Sequence, residues 1–277
     1  MLKRILVLLG ETPSSRHARH YAFNLVHETG AELAGLAGID LRSIEVPMPG
    51  AIGAASYKAK LEEELRKQAD DTRRRLHEMF ELECKERNVP FEWVSFEGDP
   101  AKHLLRAAET RDIIVTGHDT ACDGSILTQI PELLTKLLTA TPRPAVICPE
   151  NPSPGKDVLV AYDGSLPAMR TLQFFALLRV WQNSRIHVAS IESDYDLAAR
   201  AAHSATDYLR SHGYQAEAHP IASNIHPSDV LRAQVAERHV GTLVMGAYGR
   251  RGLREFLFGS TTKSLVETPP CALFLYH

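Results

Sequence analysis

One succession of short apolar runs and longer amphipathic stretches occurs twice along this chain, and that repeat limits its fold more than any single motif does. Residues 2–10 read Leu-Lys-Arg-Ile-Leu-Val-Leu-Leu-Gly, and residues 155–163 read Gly-Lys-Asp-Val-Leu-Val-Ala-Tyr-Asp. Each is a basic start, a short apolar run rich in β-branched residues, and a turn that leads into a helical pattern. Thr12-Pro13-Ser14 in the first copy matches Ser165-Leu166-Pro167 in the second. Both supply a hydroxyl cap and a proline near a helix N-terminus.

The order then continues in parallel. Second strands are expected at 31–40 and 185–192, long helices at 55–88 and 194–212, and third strands at 90–96 and 215–222. Short helices follow Asp99-Pro100 and His226-Pro227, fourth strands run over 112–117 and 242–246, and last strands over 145–148 and 272–276. Uniformly apolar strands alternating with amphipathic helices imply a parallel sheet covered on both faces. The turn-rich segment 150–155 (Glu-Asn-Pro-Ser-Pro-Gly) separates a domain of residues 1–150 from one of residues 155–277. At 277 residues the chain is long for one domain and comfortable for two.

Composition narrows the function classes. A formal net charge of -3 gives no electrostatic footprint for nucleic acid. No run reaches the roughly 18 apolar residues of a membrane helix. The apolar run after Lys3-Arg4 is shorter than a signal-peptide core and reads as a buried first strand. Cys84, Cys122, Cys148 and Cys271 form no CxxC pair, which favours a reducing cytoplasm over a disulfide framework or zinc motif. The 13 histidines show no compact two-ligand spacing with a carboxylate, so no metal site is expected from them. The helix at 57–87 reads as an amphipathic cover for the sheet, with Leu61, Leu65, Leu76, His77 and Phe80 near helical spacing. Residues 42–55, rich in Pro and Gly, read as a long loop without a counterpart in the second half.

Ligands of doubly wound sheets sit beyond the carboxyl ends of the strands. There the second half carries Gly246-Ala247-Tyr248-Gly249-Arg250-Arg251-Gly252, followed after Leu253 to Phe258 by Gly259-Ser260-Thr261. Glycines let a backbone approach a ligand closely, and the amides of a helix opened by Gly259-Ser260-Thr261 suit phosphate. The bland alternative is a set of tight turns with no ligand. Arg250 and Arg251 either add charge to such a site or are solvated loop residues.

Glycine, two residues, glycine, nine residues, then Gly-Ser resembles the motif of nucleotide-binding universal stress proteins, and the resemblance covers nearly all of the chain, taken twice. It implies two tandem flavodoxin-like (adenine nucleotide alpha hydrolase-like) α/β domains, each a parallel five-stranded sheet with helices on both faces. It implies that Asp163 meets the adenine, that Val188 meets it through its backbone, and that Gly246 lies against the ribose. Gly249, Gly259, Ser260 and Thr261 would hold phosphates, with Arg250 beside them. The ligand would be ATP or another adenine nucleotide, with or without Mg. The last strands of the two halves would pair, making a dimer inside one chain; further self-association and protein partners stay open.

The first half departs from this pattern. Gly10 stands where the second half has Asp163, Thr120 where it has Gly249, and Glu132-Leu133 where it has Gly259-Ser260. A glutamate at a phosphate position repels the ligand, so one nucleotide per chain is expected; Gly124-Ser125 is the alternative displaced loop. No HxGH pair, SGGxDS loop, P-loop or GxSxG elbow is present. No catalytic residue is assigned. The resulting expectation is an ATP-binding stress sensor or regulatory module. Its alternatives are a slow ATPase or autophosphorylating protein, and a pure interaction scaffold.

Overall fold

The computed structural model describes residues 1–44, 54–120, 132–247 and 259–277. The first half runs β1 (Arg4–Leu8), α1 (Pro13–Thr29), β2 (Glu32–Asp40), α2 (Leu41–Ile44), α3 (Ala54–Glu86), β3 (Phe91–Gly98), α4 (Pro100–Ala108), β4 (Ile113–Gly117), α5 (Glu132–Ala140) and β5 (Ala145–Cys148). The second runs β6 (Asp157–Ala161), α6 (Leu166–Leu178), β7 (Arg185–Glu192), α7 (Tyr195–Ser211), β8 (Gln215–Ala222), α8 (Pro227–Glu237), β9 (Val240–Gly246), α9 (Ser260–Glu267) and β10 (Ala272–Tyr276). The long helices and the second to fifth strands of each half lie within two residues of the ends expected from the sequence. Residues 42–55 are not loop throughout: their start belongs to α2 and their last two residues to α3, while 45–53 lie outside the described residues.

Local chemistry sets the helix starts. Thr12 caps α1 by accepting from the Ser15 amide, Ser165 caps α6 from Ala168, and Asp99 caps α4 from Ala101, each with a proline in the first turn. Side-chain caps of this kind are worth about 1 kcal/mol apiece. The αL residue Gly30 (φ 66°) ends α1, returning its amide to the Val26 carbonyl.

The ten strands form one sheet in the order β3-β2-β1-β4-β5-β10-β9-β6-β7-β8. Strands are parallel within each half, and the halves join through antiparallel β5 and β10, with Phe274 opposite Val146. This is the pairing implied by the resemblance. It gives each half a partner for an edge strand that would otherwise expose unpaired backbone groups.

Two apolar layers cover the sheet. On one face Ala18 and Ala22 of α1, Leu76 and Phe80 of α3, Phe175 of α6 and Leu209 of α7 are buried. On the other, Leu104 of α4, Leu137 of α5, Leu231 of α8 and Leu265 of α9 are buried. Each layer runs through both halves, so the halves share a core rather than touching at a polar seam. Phe175 stacks on Trp181 at 5.3 Å, Phe274 meets both rings edge-on, and Tyr21 of the first half packs against Trp181 at 6.4 Å. Aromatic pairs in these geometries add about 0.5–1.5 kcal/mol beyond their buried area.

Candidate functional site

In the second half the strand order reverses between β6 and β9, and the crevice at their carboxyl ends is where such sheets take ligands. Asp163 lies two residues past β6. Its Oδ1 accepts a 2.9 Å hydrogen bond from the Ser165 amide, across a turn that needs Gly164 in the left-handed region (φ 70°). The side chain is half-buried. Burial, with the Asp163 charge adding to it, holds the neighbouring Tyr162 phenol above its ordinary range.

Gly246 ends β9 directly beneath the start of α6. A Cβ there would stand 2.8 Å from the Ala168 nitrogen and 2.9 Å from the Pro167 carbonyl carbon. The first half repeats this contact: a Cβ at Gly117 would collide with the Ser14 Oγ and stand 2.8 Å from the Ser14 carbonyl carbon. Glycine at this place therefore has a packing role in both halves, whatever else it does in the second.

The described helices α1, α4, α6, α7 and α8 each carry a side-chain cap, whereas α9 begins after Gly259 with no side-chain cap bond. Glycine has no capping side chain, so among the described residues the first amides of α9 have no side-chain cap at this position. Ser260 is exposed, Thr261 is half-buried and Thr262 is buried. The Ser260 hydroxyl stands 3.0 Å from Nε2 of His226, the cap residue of α8. His226 Nδ1 accepts the Ser228 amide at 3.3 Å, so one imidazole spans the N-termini of α8 and α9. The sequence marked His226 only as a helix start, because its partner lies 34 residues away.

Val188 is placed differently from Asp163. It is fully buried, flanked by Val160 and Ala218, and lies inside the ladder on both sides. Ser190, Ile191 and Glu192 extend beyond the last β6 pairing, Ala161 with Ala189. Gly249 and Arg250 lie outside the described residues, as do Arg251 and the Gly124-Ser125 alternative.

In the first half a cluster of hydroxyl side chains stands at the equivalent strand ends. A Cβ at Gly10 would stand 2.6 Å from the Ser15 Oγ, and that hydroxyl bonds Thr120 Oγ1 at 2.6 Å. Thr12 Oγ1 donates to Asp119 Oδ1 at 2.9 Å, and Ser14 Oγ donates to the same oxygen. Thr12, Ser14, Ser15 and Thr120 are all buried. Behind them Arg19, also buried, donates from Nη1 to the Gly10 carbonyl at 3.2 Å and pairs with Glu83 at 2.8 Å. α5 opens on Glu132, at the place where Gly259 and Ser260 open α9.

Comparison with known proteins agrees with this architecture. A universal stress protein of Synechocystis sp. is 23% identical over 284 residues, covering 96% of each chain. The solved structure of a universal stress protein from Archaeoglobus fulgidus superposes with a TM-score of 0.70 at 19% identity, over 99% of this chain and 95% of that one. A Pseudomonas aeruginosa protein described as a candidate universal stress protein superposes at 0.59 and 16% identity, over 99% and 93%. The universal stress protein family model matches residues 1–119 and again 155–277, and the chain belongs to that family.

Proposed function

We propose that the second half binds one adenine nucleotide, with ATP as the leading candidate, and that the protein acts as a nucleotide-responsive stress sensor or regulatory module. The observation that carries this reading is the bare N-terminus of α9. Its amides and positive dipole end favour an anion by about 0.3–1 kcal/mol alone, so useful affinity needs further donors. Ser260, Thr261 and the Gly249–Arg250 segment of the motif supply them in this reading. Asp163, on the same carboxyl edge, is the acceptor for an exocyclic amine or a ribose hydroxyl, and the β7 contact passes from Val188 to the strand end at Ile191. Mg would arrive bound to the phosphates, since it is held mostly by substrate oxygens and water in such sites.

The crevice of the first half supports a stoichiometry of one. Its buried hydroxyl cluster around Ser15 and Thr120 stands where a side chain in the place of Asp163 would begin. The first half then serves as a built-in partner that completes the sheet. The test is mass spectrometry of small molecules released after native purification, followed by ATP titration of the emptied protein. One adenine nucleotide per chain, lost in Gly259→Glu, is the expected result. Two equivalent sites, or unchanged binding in that variant, would overturn the reading in favour of an interaction scaffold.

A further inference from the structure

Toward the outer edge of the second-half sheet, three neighbouring strands bring together residues that are far apart in the chain. His187 is the third residue of β7 and is buried; Glu217 and His219 are the third and fifth residues of β8. Alternation along β8 puts Glu217 and His219 on one face, and the register sets His187 directly beside Glu217. His187 Nδ1 lies 3.1 Å from His219 Nε2, and His219 Nε2 lies 3.9 Å from Glu217 Oε2. One ligand atom from each of the three falls within 4.8 Å of the others.

The other nitrogen of His187 decides what this cluster can do. His187 Nε2 stands 3.1 Å from Asp157 Oδ2, at the first residue of β6. An ionised carboxylate only accepts, so the ring proton belongs on Nε2, and Nδ1 is left with its lone pair toward His219. This is the arrangement in which a carboxylate orients a metal-bound imidazole and raises its basicity. Two imidazole nitrogens bound to one tetrahedral ion at about 2.0–2.1 Å sit roughly 3.3 Å apart, close to the spacing found here. The surrounding charges are Asp157, Glu217 and Glu237 against Arg238, an acidic balance.

We propose that His187, His219 and Glu217 form a binding site for a divalent transition-metal ion of the zinc class, with Asp157 as the positioning residue behind His187. Two imidazoles and one carboxylate are an N/O donor set suited to such ions rather than to Mg or Ca. Three protein ligands leave a fourth position for water. β8 is an edge strand and Glu217 is exposed, so an ion reaches the site from solvent. His187 and Glu217 register with Leu159 in the middle of β6 and His219 with Ala161, its last residue, whereas Asp163 lies past the end of β6, two strands in from β8. The metal site uses none of the residues proposed for the nucleotide and does not depend on them.

The test uses Zn²⁺ alone on nucleotide-free protein, with affinity measured by competition against a chromophoric chelator and Co²⁺ absorption reporting the geometry. The expected result is one tight equivalent per chain, a rise in Tm on loading, and tetrahedral Co²⁺ bands. His219→Gln and Glu217→Gln, both on the edge strand, should fold and weaken Zn²⁺ by at least the order of 10–100-fold expected even for a lost outer partner. Asp157→Asn should weaken it within that range while keeping the Co²⁺ bands. Affinity unchanged in His219→Gln and Glu217→Gln would overturn the proposal and assign the bound metal to scattered surface histidines. Absence of any stoichiometric binding would overturn it too, leaving His187 as a core histidine satisfied by Asp157 and His219.

Discussion

The hydroxyl of Tyr21, on the first helix of one half, lies 2.7 Å from the hydroxyl of Thr242, on a central strand of the other. Thr242 is buried, and burial raises the Tyr21 phenol well above its ordinary pKa, so the pair stays neutral throughout the physiological range. Met1 and Leu2 add to the same joint by donating to the carbonyls of Leu177 and Leu178, the last turn of α6. These bonds, together with the shared aromatic cluster, join the halves, and we expect them to unfold together. Tyr21→Phe leaves the Thr242 hydroxyl buried without this partner, which costs about 1–3 kcal/mol. Urea denaturation should show a lower midpoint and a single transition; two transitions would mean that the halves unfold separately.

Gly246→Ala tests the contact beneath α6. The new methyl would stand 2.8 Å from the Ala168 nitrogen, a backbone atom that cannot rotate away. Overpacking of this kind typically costs 1–3 kcal/mol. We expect a lower Tm and, because the cap residue Ser165 shifts with α6, weaker nucleotide binding as well. Gly117→Ala should destabilise similarly with no effect on binding, which separates packing from ligand contact.

Restoring motif residues in the first half should fail to create a second site. Gly10→Asp places its Cβ 2.6 Å from the Ser15 Oγ, and the hydroxyl cluster blocks the rest of the carboxylate. The double variant Gly10→Asp, Glu132→Gly is expected to keep a stoichiometry of one in calorimetric titration and to lose stability. A second equivalent of ATP would show that the cluster does not block the site.

His17 ties α1 to the end of β5, its Nδ1 lying 3.1 Å from the Pro149 carbonyl. Burial, helped by nearby His20, lowers its pKa from 6.5 despite that hydrogen bond. The unfolded chain therefore takes up this proton first as the pH falls. The stability contributed by neutral His17 is complete above pH 6.5 and declines below it, until the folded ring also protonates. Tm measured from pH 7.5 to 5 should fall less steeply in His17→Gln, which cannot be protonated there. An identical slope would place the acid sensitivity elsewhere.

His226→Ala removes both the cap of α8 and the partner of Ser260. A lost cap costs about 1 kcal/mol, and the freed Ser260 hydroxyl should alter nucleotide affinity. His226→Asn restores the cap without reaching Ser260, so affinity measured in the two variants divides capping from ligand positioning.

Much of this protein is readable from residue order. β5 and β10 begin and end where the apolar runs do, since a strand buried on both faces tolerates no polar interruption. Thr12, Asp99 and Ser165 start helices because a short polar side chain can satisfy a free amide within three residues. The repeat, the glycine spacing and the contrast of Asp163 with Gly10 are likewise properties of the chain alone. What tertiary structure decided depends on partners distant in sequence. Gly246 is a packing glycine because Pro167 and Ala168 lie against it, and Val188 falls inside the ladder because Val160 of β6 and Ala218 of β8 pair with it from both sides. His226 meets Ser260 across two helix starts, and His187, Glu217 and His219 converge only through the register of β7 and β8. Local chemistry writes strands, turns and caps into the order of residues, whereas a site is a meeting of side chains whose positions only the folded sheet sets.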